Sequence, residues 1–345
     1  MPDPPDLIPS TPDDAAANPA PPVQPRFSLR DMFAGRDGLR AGWSLLLYFA
    51  LLAALLFVIE LIIHLFQRQL GAPSPAAVAH FTLISPKLML SAEGLELFAV
   101  AVATWIMARV ERRPVTAFGL SRARSLSNFL AGLAWGVALL SVLVLSLRAT
   151  GLLVFDARLL SGRSALRYGA IWVIGFLLVG LFEEFFFRGY LQFTLARGLS
   201  GIYGWLHTPG RDALGFWTSA VLLSFGFGLI HTSNAGESPI GLLSAGLIGV
   251  VFCLSLWRTG SLWWAIGFHA AWDWAQSFLY GVADSGNMVL GHLFATHPVG
   301  KAVLSGGLTG PEGSVFILPI LLLITAIILL TLRSTRSNYT SQDAI

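Results

Sequence analysis

Long apolar runs, each roughly 20 residues, alternate with short polar segments along this chain. Eight runs read as helices: 43–66, 88–107, 129–147, 168–195, 216–232, 240–257, 262–281 and 315–332. At a rise of about 1.5 Å per residue, roughly 20 apolar residues cross a hydrocarbon core about 30 Å thick. The pattern predicts an all-α fold, a polytopic transmembrane helical bundle of about eight spans. The second and fourth runs carry carboxylates, which marks them off from purely lipid-facing helices. Residues 199–212 (LSGIYGWLHTPGRD) contain Gly and Pro with no clear period and read as a loop. Residues 282–314 read as a long Gly-rich connection, and the sequence shows no repeat and no second soluble domain.

The ends differ from the middle. Residues 1–25 hold nine of the 18 prolines, with Asp3, Asp6, Asp13 and Asp14 and few bulky apolar side chains. Such a segment cannot bury enough surface to offset its chain entropy. The predicted division is a disordered Pro-rich tail over 1–27, a membrane domain over 28–333 and a C-terminal tail over 334–345. Within 26–42, arginines mixed with Phe27, Leu29, Met32 and Phe33 read as an interfacial segment leading into the first span. The first residues are acidic and proline-rich, unlike a cleaved signal peptide. Arg109, Arg112, Arg113, Arg122 and Arg124 crowd 108–128, which places that loop and both termini in the cytoplasm under the positive-inside rule. Arg148, Arg158, Arg163 and Arg167 then fall outside, against the rule. The expected location is the plasma (inner) membrane.

Composition supports this class. Hydrophobic residues make up 55% and charged residues 12% of the 345, against about 25% charged in soluble domains. The net charge of +3 is arginine set between apolar runs, so it reads as orientation charge and not as a nucleic-acid surface. Cys253 is the only cysteine, which excludes an internal disulfide and a thiolate metal cluster.

Polar residues inside the apolar runs are the candidates for chemistry, because ionisable groups there cost several kcal/mol, of order 3 on insertion scales. Glu183 and Glu184 sit together in the fourth run. At helical spacing Glu184 pairs with Arg188 along one face, while Glu183 is rotated by about 100° and left without a local partner. His231 closes Phe227-Gly228-Leu229-Ile230-His231 in the fifth run, and His269 and Asp273 stand four apart in the seventh. Each has a plainer reading: an interhelical ion pair, a histidine capping carbonyls at the interface, a packed hydrogen-bonded pair. The ion-pair reading leaves Glu183 unexplained. Glu60 and His64 in the first run read as snorkelling side chains, as do Glu93 and Glu96 at the start of the second, and His80 shares that structural reading. His207, His292 and His297 read as solvated loop residues, and Trp263, Trp264, Trp272 and Trp274 as interface or packing residues. Taken together, Glu183, Glu184, His231, His269 and Asp273 supply what water-activating hydrolysis needs: a carboxylate base, imidazoles to hold water or a metal, and stabilisation of an oxyanion.

Glu183-Glu184-x-x-x-Arg188, Phe227-x-x-x-His231 and His269-x-x-x-Asp273, in this order on successive spans, resemble the three motifs of the CPBP intramembrane proteases. That family is related to the CAAX prenyl endopeptidases and to bacteriocin-processing or immunity proteins, the Abi group. The resemblance covers about 168–280. It implies that Glu183 activates water with Glu184 and Arg188 as its support, and that His231 aligns the water or binds metal. It implies that His269 and Asp273 form the oxyanion-stabilising or metal-binding side. His231, His269 and Asp273 would then be the ligands of a divalent metal such as zinc. An aspartate donates a hydrogen bond only when protonated, which favours the metal role for Asp273 over the oxyanion role. No HExxH or GxGD occurs, so zincin and presenilin-type sites are absent.

The resulting expectation is a membrane-embedded, metalloendopeptidase-like hydrolase cleaving a peptide or protein substrate near the cytoplasmic side, with the lipid bilayer and no nucleic acid as its surroundings. Two rivals stand beside it: a non-catalytic membrane regulator or immunity-like protein that keeps the motifs structurally, and a proton-coupled transporter, for which the expected inverted repeats are missing. Depth raises one conflict. His269 lies ~10 Å into its run from the end nearest the Arg-rich loop and His231 ~22 Å into its own.

Overall fold

The computed structural model describes residues 33–35, 38–69 and 83–334. The tail over 1–27, His80 and 335–345 lie outside the described residues. A small hairpin of β1 (Ala34–Gly35) and β2 (Gly38–Leu39) precedes α1 (Ala41–Gln69). The chain continues through β3 (Leu83–Ile84), α2 (Pro86–Val110), α3 (Ser125–Ala149) and β4 (Leu153–Arg158). Next come α4 (Gly162–Glu183), a π-helical segment (Glu184–Leu191) and α5 (Gln192–Trp205), as one continuous helical rod. Then follow α6 (Arg211–Ile230), α7 (Pro239–Thr259) and α8 (Trp263–Asp273), which a second π-helical segment (Trp274–Leu279) extends. The last part holds β5 (Met288–Val289), β6 (Phe294–Pro298), α9 (Ala302–Ser305) and α10 (Ile317–Thr331). The fold is an all-α polytopic bundle with short strands in its connections.

Local sequence sets several boundaries. Ser85 caps α2, its hydroxyl accepting from Leu88 N–H, and Pro86 follows at the first turn, where a missing N–H costs nothing. Ser238 and Pro239 open α7 the same way, and Gly260 closes it in the left-handed conformation.

Three expectations change. Among the described residues six helices are long and apolar enough to cross a membrane, not eight. The seventh run becomes the 11-residue α8 with its six-residue π extension, and the eighth becomes the 15-residue α10. Length matters less for α8 because it is enclosed by other helices and not by lipid: Trp264, Ala265, Ile266 and Phe268 are all buried. The segment read as a loop at 199–212 is helical as far as Trp205 and turns only at 206–210, because α5 packs along α6. The connection at 282–314 is also structured. β6 pairs antiparallel with β4, and β5 pairs parallel with β3.

These pairings gather 83–84, 153–158, 288–289 and 294–298 at one end of the bundle. Asn234 Nδ2 donates to the Ser285 carbonyl at the same end (2.8 Å). At the other end the Arg-rich loop meets the start of α8, with Leu262 N–H on the Gly119 carbonyl and Trp263 Nε1 on the Ser121 carbonyl. The depth conflict resolves here. Gly215 of α6 faces Ala196 and Ser200 of α5, whereas Ser224 lies level with Arg188 and Gly249. The first part of α6 therefore extends along α5 beyond the level where α8 begins, and His231 is less deep than its position in the helix suggests.

Glycines pull α8 into place. A Cβ on Gly132 of α3 would lie 2.2 Å from the Trp264 carbonyl oxygen, and one on Gly136 would lie 2.4 Å from that of Phe268. On its other side α8 meets Gly180 of α4, whose Cβ would lie 3.1 Å from the Ile266 carbonyl. Small residues allow such backbone approach between membrane helices, where dispersion and not hydrophobicity drives packing. The consequence is positional: His269 and Asp273 stand beside Glu183 and Glu184.

Candidate active site

Glu183 ends α4 and Glu184 begins the π-helical segment, an arrangement often found at functional positions. The two side chains part. Glu184 is 0% exposed, and its Oε1 accepts from Arg188 Nη1 and from His269 Nδ1, each at 3.0 Å. Glu183 is 18% exposed and lines a cavity of about 510 Å³. The Arg188 guanidinium lies 4.4 Å from the Phe227 ring centroid, with Phe187 and Phe252 each 5.9 Å away. An arginine held by one carboxylate and three aromatic faces is anchored within the bundle.

His269 is the hub. Its Nδ1 faces Glu184, and its Nε2 lies 3.5 Å from Glu183 Oε2 and 3.4 Å from Asp273 Oδ2. His231 hydrogen-bonds through Nδ1 to the Phe227 carbonyl at 2.8 Å. A carbonyl only accepts, so Nδ1 carries a proton, and Nε2 is the nitrogen left to meet a ligand in the cavity. Phe227 also touches both imidazole rings, with centroids 4.8 Å from His231 and 6.5 Å from His269. His231 is joined to the Glu183–His269–Asp273 group through Phe227 and through the cavity that all four line.

Residues 165–275 match the Rce1-like family model, described as type II CAAX prenyl endopeptidase Rce1-like. This central third of the chain is thus similar to the Rce1-like family. The matched stretch contains the whole Glu183-to-Asp273 constellation, and the similarity is, at the family level, to CAAX-type intramembrane proteases. No curated protein and no solved structure matches the chain.

The cavity reaches beyond the Rce1-like stretch. Glu93 and Glu96 of α2 line it, as do Asp284 and Glu312 from the connection after α8. Reading Glu93 and Glu96 as snorkelling side chains is thus corrected: they face an internal cavity and not headgroups. Their three-residue spacing on one helix face was the available signal. Asp284 and Glu312 had none, because only the folding of 282–314 onto the bundle brings them in. Ser277 Oγ donates to Asp284 (3.1 Å), and Glu312 accepts from Ser285 N–H and Oγ. Ser285 has φ 44°, a left-handed conformation costly for a serine, and these contacts hold it there. Burial raises Glu312 to about 8, aided by the charge of Asp284, and burial raises Asp284 to about 6.

Other candidates fall elsewhere. Glu60 and His64 are exposed on α1, and neither lines the cavity. His207 is exposed at the α5–α6 turn. His292 is half-buried on the Val289 carbonyl, and His297 pairs with Asp156 across β4 and β6. Trp264 is buried packing, Trp263 and Trp274 hydrogen-bond to carbonyls, and Trp272 lines the cavity. Among the described residues no three His, Cys, Asp or Glu side chains stand as a metal-holding set. His231, His269 and Asp273 do not make one: His269 turns both nitrogens to carboxylates, and His231 stands apart beside Phe227.

The cavity is bordered by Ile84, Ser233, Asn234, Ser285 and Asn287, all at the end opposite the Arg-rich loop. A cytoplasmic Arg-rich loop and a cavity reaching cytoplasmic loops therefore cannot both hold.

Proposed function

We propose that the chain is an intramembrane endopeptidase in which Glu183 activates water for direct attack on a peptide carbonyl. The observation that carries this reading is the meeting of Glu183, His269 and Asp273 around one ring nitrogen at the wall of a 510 Å³ cavity, inside the Rce1-like stretch. A cavity of this size takes a short peptide segment.

Glu183 Oε2 accepts a proton from a water that also hydrogen-bonds to His231 Nε2. The water oxygen forms its bond to the carbonyl carbon, and the carbonyl π electrons move onto oxygen. His269 Nε2–H, held in place by the Glu184 bond at Nδ1, donates to that oxyanion. The Glu183 carboxylic acid returns its proton to the amide nitrogen as the C–N bond breaks, leaving a carboxylic acid and an amine, and proton exchange between the two products gives carboxylate and ammonium. Glu184 and Arg188 touch no reacting atom here; they position His269. Asp273 Oδ2, 3.4 Å from Nε2, stands beside that N–H and favours the proton's staying on it.

The test is proteolysis by full-length protein in bilayers, comparing wild type with Glu183→Gln and His231→Ala. Loss of cleavage in both with unchanged folding supports the reading. Wild-type rates in both remove it, and cleavage-independent function in both points to a non-catalytic regulator.

A further inference from the structure

Six carboxylates line the cavity: Glu93, Glu96, Glu183, Asp273, Asp284 and Glu312. Among the described residues no lysine or arginine lines it, and Arg188 is sealed behind Glu184 and the Phe227 ring. Glu183 and Asp273 are occupied with His269. Asp284 and Glu312 are tied to Ser277 and Ser285. Glu93 and Glu96 are different. They belong to α2, outside the Rce1-like stretch, and neither forms an ion pair among the described residues. Glu93 Oε2 is shut off from solvent with no hydrogen-bond partner. Glu93 lies seven residues into α2, about 10 Å from its start, within electrostatic range of Glu96, Glu183 and His269.

Three carboxylates facing one another across a low-dielectric cavity repel, and a buried carboxylate without a partner is costly. A structural ion pair would remove that cost from within the fold, and α2 has none here. His269 on the same wall offsets part of that repulsion, and a cation entering the cavity beside α2 would offset more of it. Resting on the protease reading above, we propose that Glu93 and Glu96 select a substrate bearing a positive charge, a lysine or arginine side chain, within a few residues of the scissile bond. The same carboxylates disfavour a peptide that places an acidic side chain or a free C-terminal carboxylate there. The cation would sit along α2 on one side of Glu183, with the scissile carbonyl against His269.

The test uses full-length protein in lipid nanodiscs and internally quenched peptides identical except for Lys, Gln or Glu at one position scanned across the cleavage site. Wild type is expected to cleave the best Lys peptide with kcat/KM at least about tenfold above its Gln twin, with the Glu peptide lowest. In a Glu93→Gln/Glu96→Gln variant the Lys-to-Gln ratio should fall close to one. The ratio is internal to each protein, so a change in the amount of folded variant does not imitate the effect. A wild type without charge preference, or a ratio that survives in the double variant, overturns the proposal.

If no peptide is cleaved by any form, the protease reading fails separately, and binding decides the charge proposal. Fluorescence anisotropy on the Glu183→Gln protein should then show tighter binding of the labelled Lys peptide than of the Gln peptide. That difference should disappear when Glu93 and Glu96 are also neutralised. Equal binding of the two peptides overturns it.

Discussion

Glu184 and His269 are joined at 3.0 Å through Oε1 and Nδ1, and the same oxygen accepts from Arg188 Nη1. One fully buried carboxylate oxygen thus ties the α4 rod to α8 and fixes how the imidazole presents Nε2. Glu184→Gln keeps the shape and weakens both bonds. Partners that orient a catalytic or ligating histidine are worth about 10- to 100-fold. The expected result is a loss in kcat of that size with KM little changed, and a lower inactivation temperature because Arg188 loses its counter-charge in a buried position. Steady-state kinetics at matched protein folding check it. An unchanged kcat would mean that His269 needs no orienting partner.

The glycines that seat α8 lead to a second expectation. Gly132→Ala forces a methyl against the Trp264 carbonyl, where backbone and not a flexible side chain must move. Gly226→Ala in α6 meets nothing within 4 Å and serves as the matched control. The first should lose a large part of folded protein and of activity. The second should hold or gain slightly, since alanine is the better helix former by roughly 0.5–1 kcal/mol. Size-exclusion profiles and thermal inactivation of the two variants decide it.

Glu312 makes the cap after α8 pH-sensitive. Burial raises its carboxyl to about 8 from an ordinary 4.5, with Asp284 and Glu237 as the facing acidic groups. The folded state binds this proton more tightly than the unfolded state. The contribution is therefore complete below pH 4.5 and is lost as pH rises through 8. Hydrogen exchange at the Ser285 amide, corrected for its intrinsic rate, should show protection falling between pH 6 and pH 8.5. Glu312→Gln should flatten that dependence. A protection factor that rises with pH contradicts the assignment.

Arginines lie at both ends of the bundle, with Arg148, Arg158, Arg163 and Arg167 at or near the end that carries β4. Arg109, Arg112, Arg113, Arg122 and Arg124 lie at or near the opposite end, and the cavity reaches loops at the β4 end. If the Arg-rich loop sets orientation under the positive-inside rule, the cavity faces away from the cytoplasm. Cys253 is buried, so introduced cysteines report with little background. Ser121→Cys should label only after membrane permeabilisation, and Val299→Cys without it. The reverse pattern places the cavity on the cytoplasmic side.

Much of this architecture was legible in the residues, for a physical reason. A carboxylate in an apolar run is expensive wherever the run ends up, so Glu183, Glu184, His231, His269 and Asp273 stood out before any packing was known. Their separation into a cavity-facing Glu183 and a sealed Glu184 follows from helical rotation and the nearby arginine. The Glu184–His269 bond was not legible, because it depends on close approach at Gly132, Gly136 and Gly180, and glycine carries no sign of which neighbour it admits. The apolar pattern alone does not distinguish α8, a helix enclosed by protein, from one facing lipid. Glu93 and Glu96 were read as snorkelling because a helix start and a cavity wall look alike until the opposite wall is known.

The most direct test of the central claim is the cleavage rate of Glu183→Gln, a substitution that preserves size and removes the base. Measured at saturating peptide in bilayers, with folding matched by thermal inactivation, kcat should fall by at least about a thousandfold. A Glu183→Gln protein that cleaves at the wild-type rate contradicts the account.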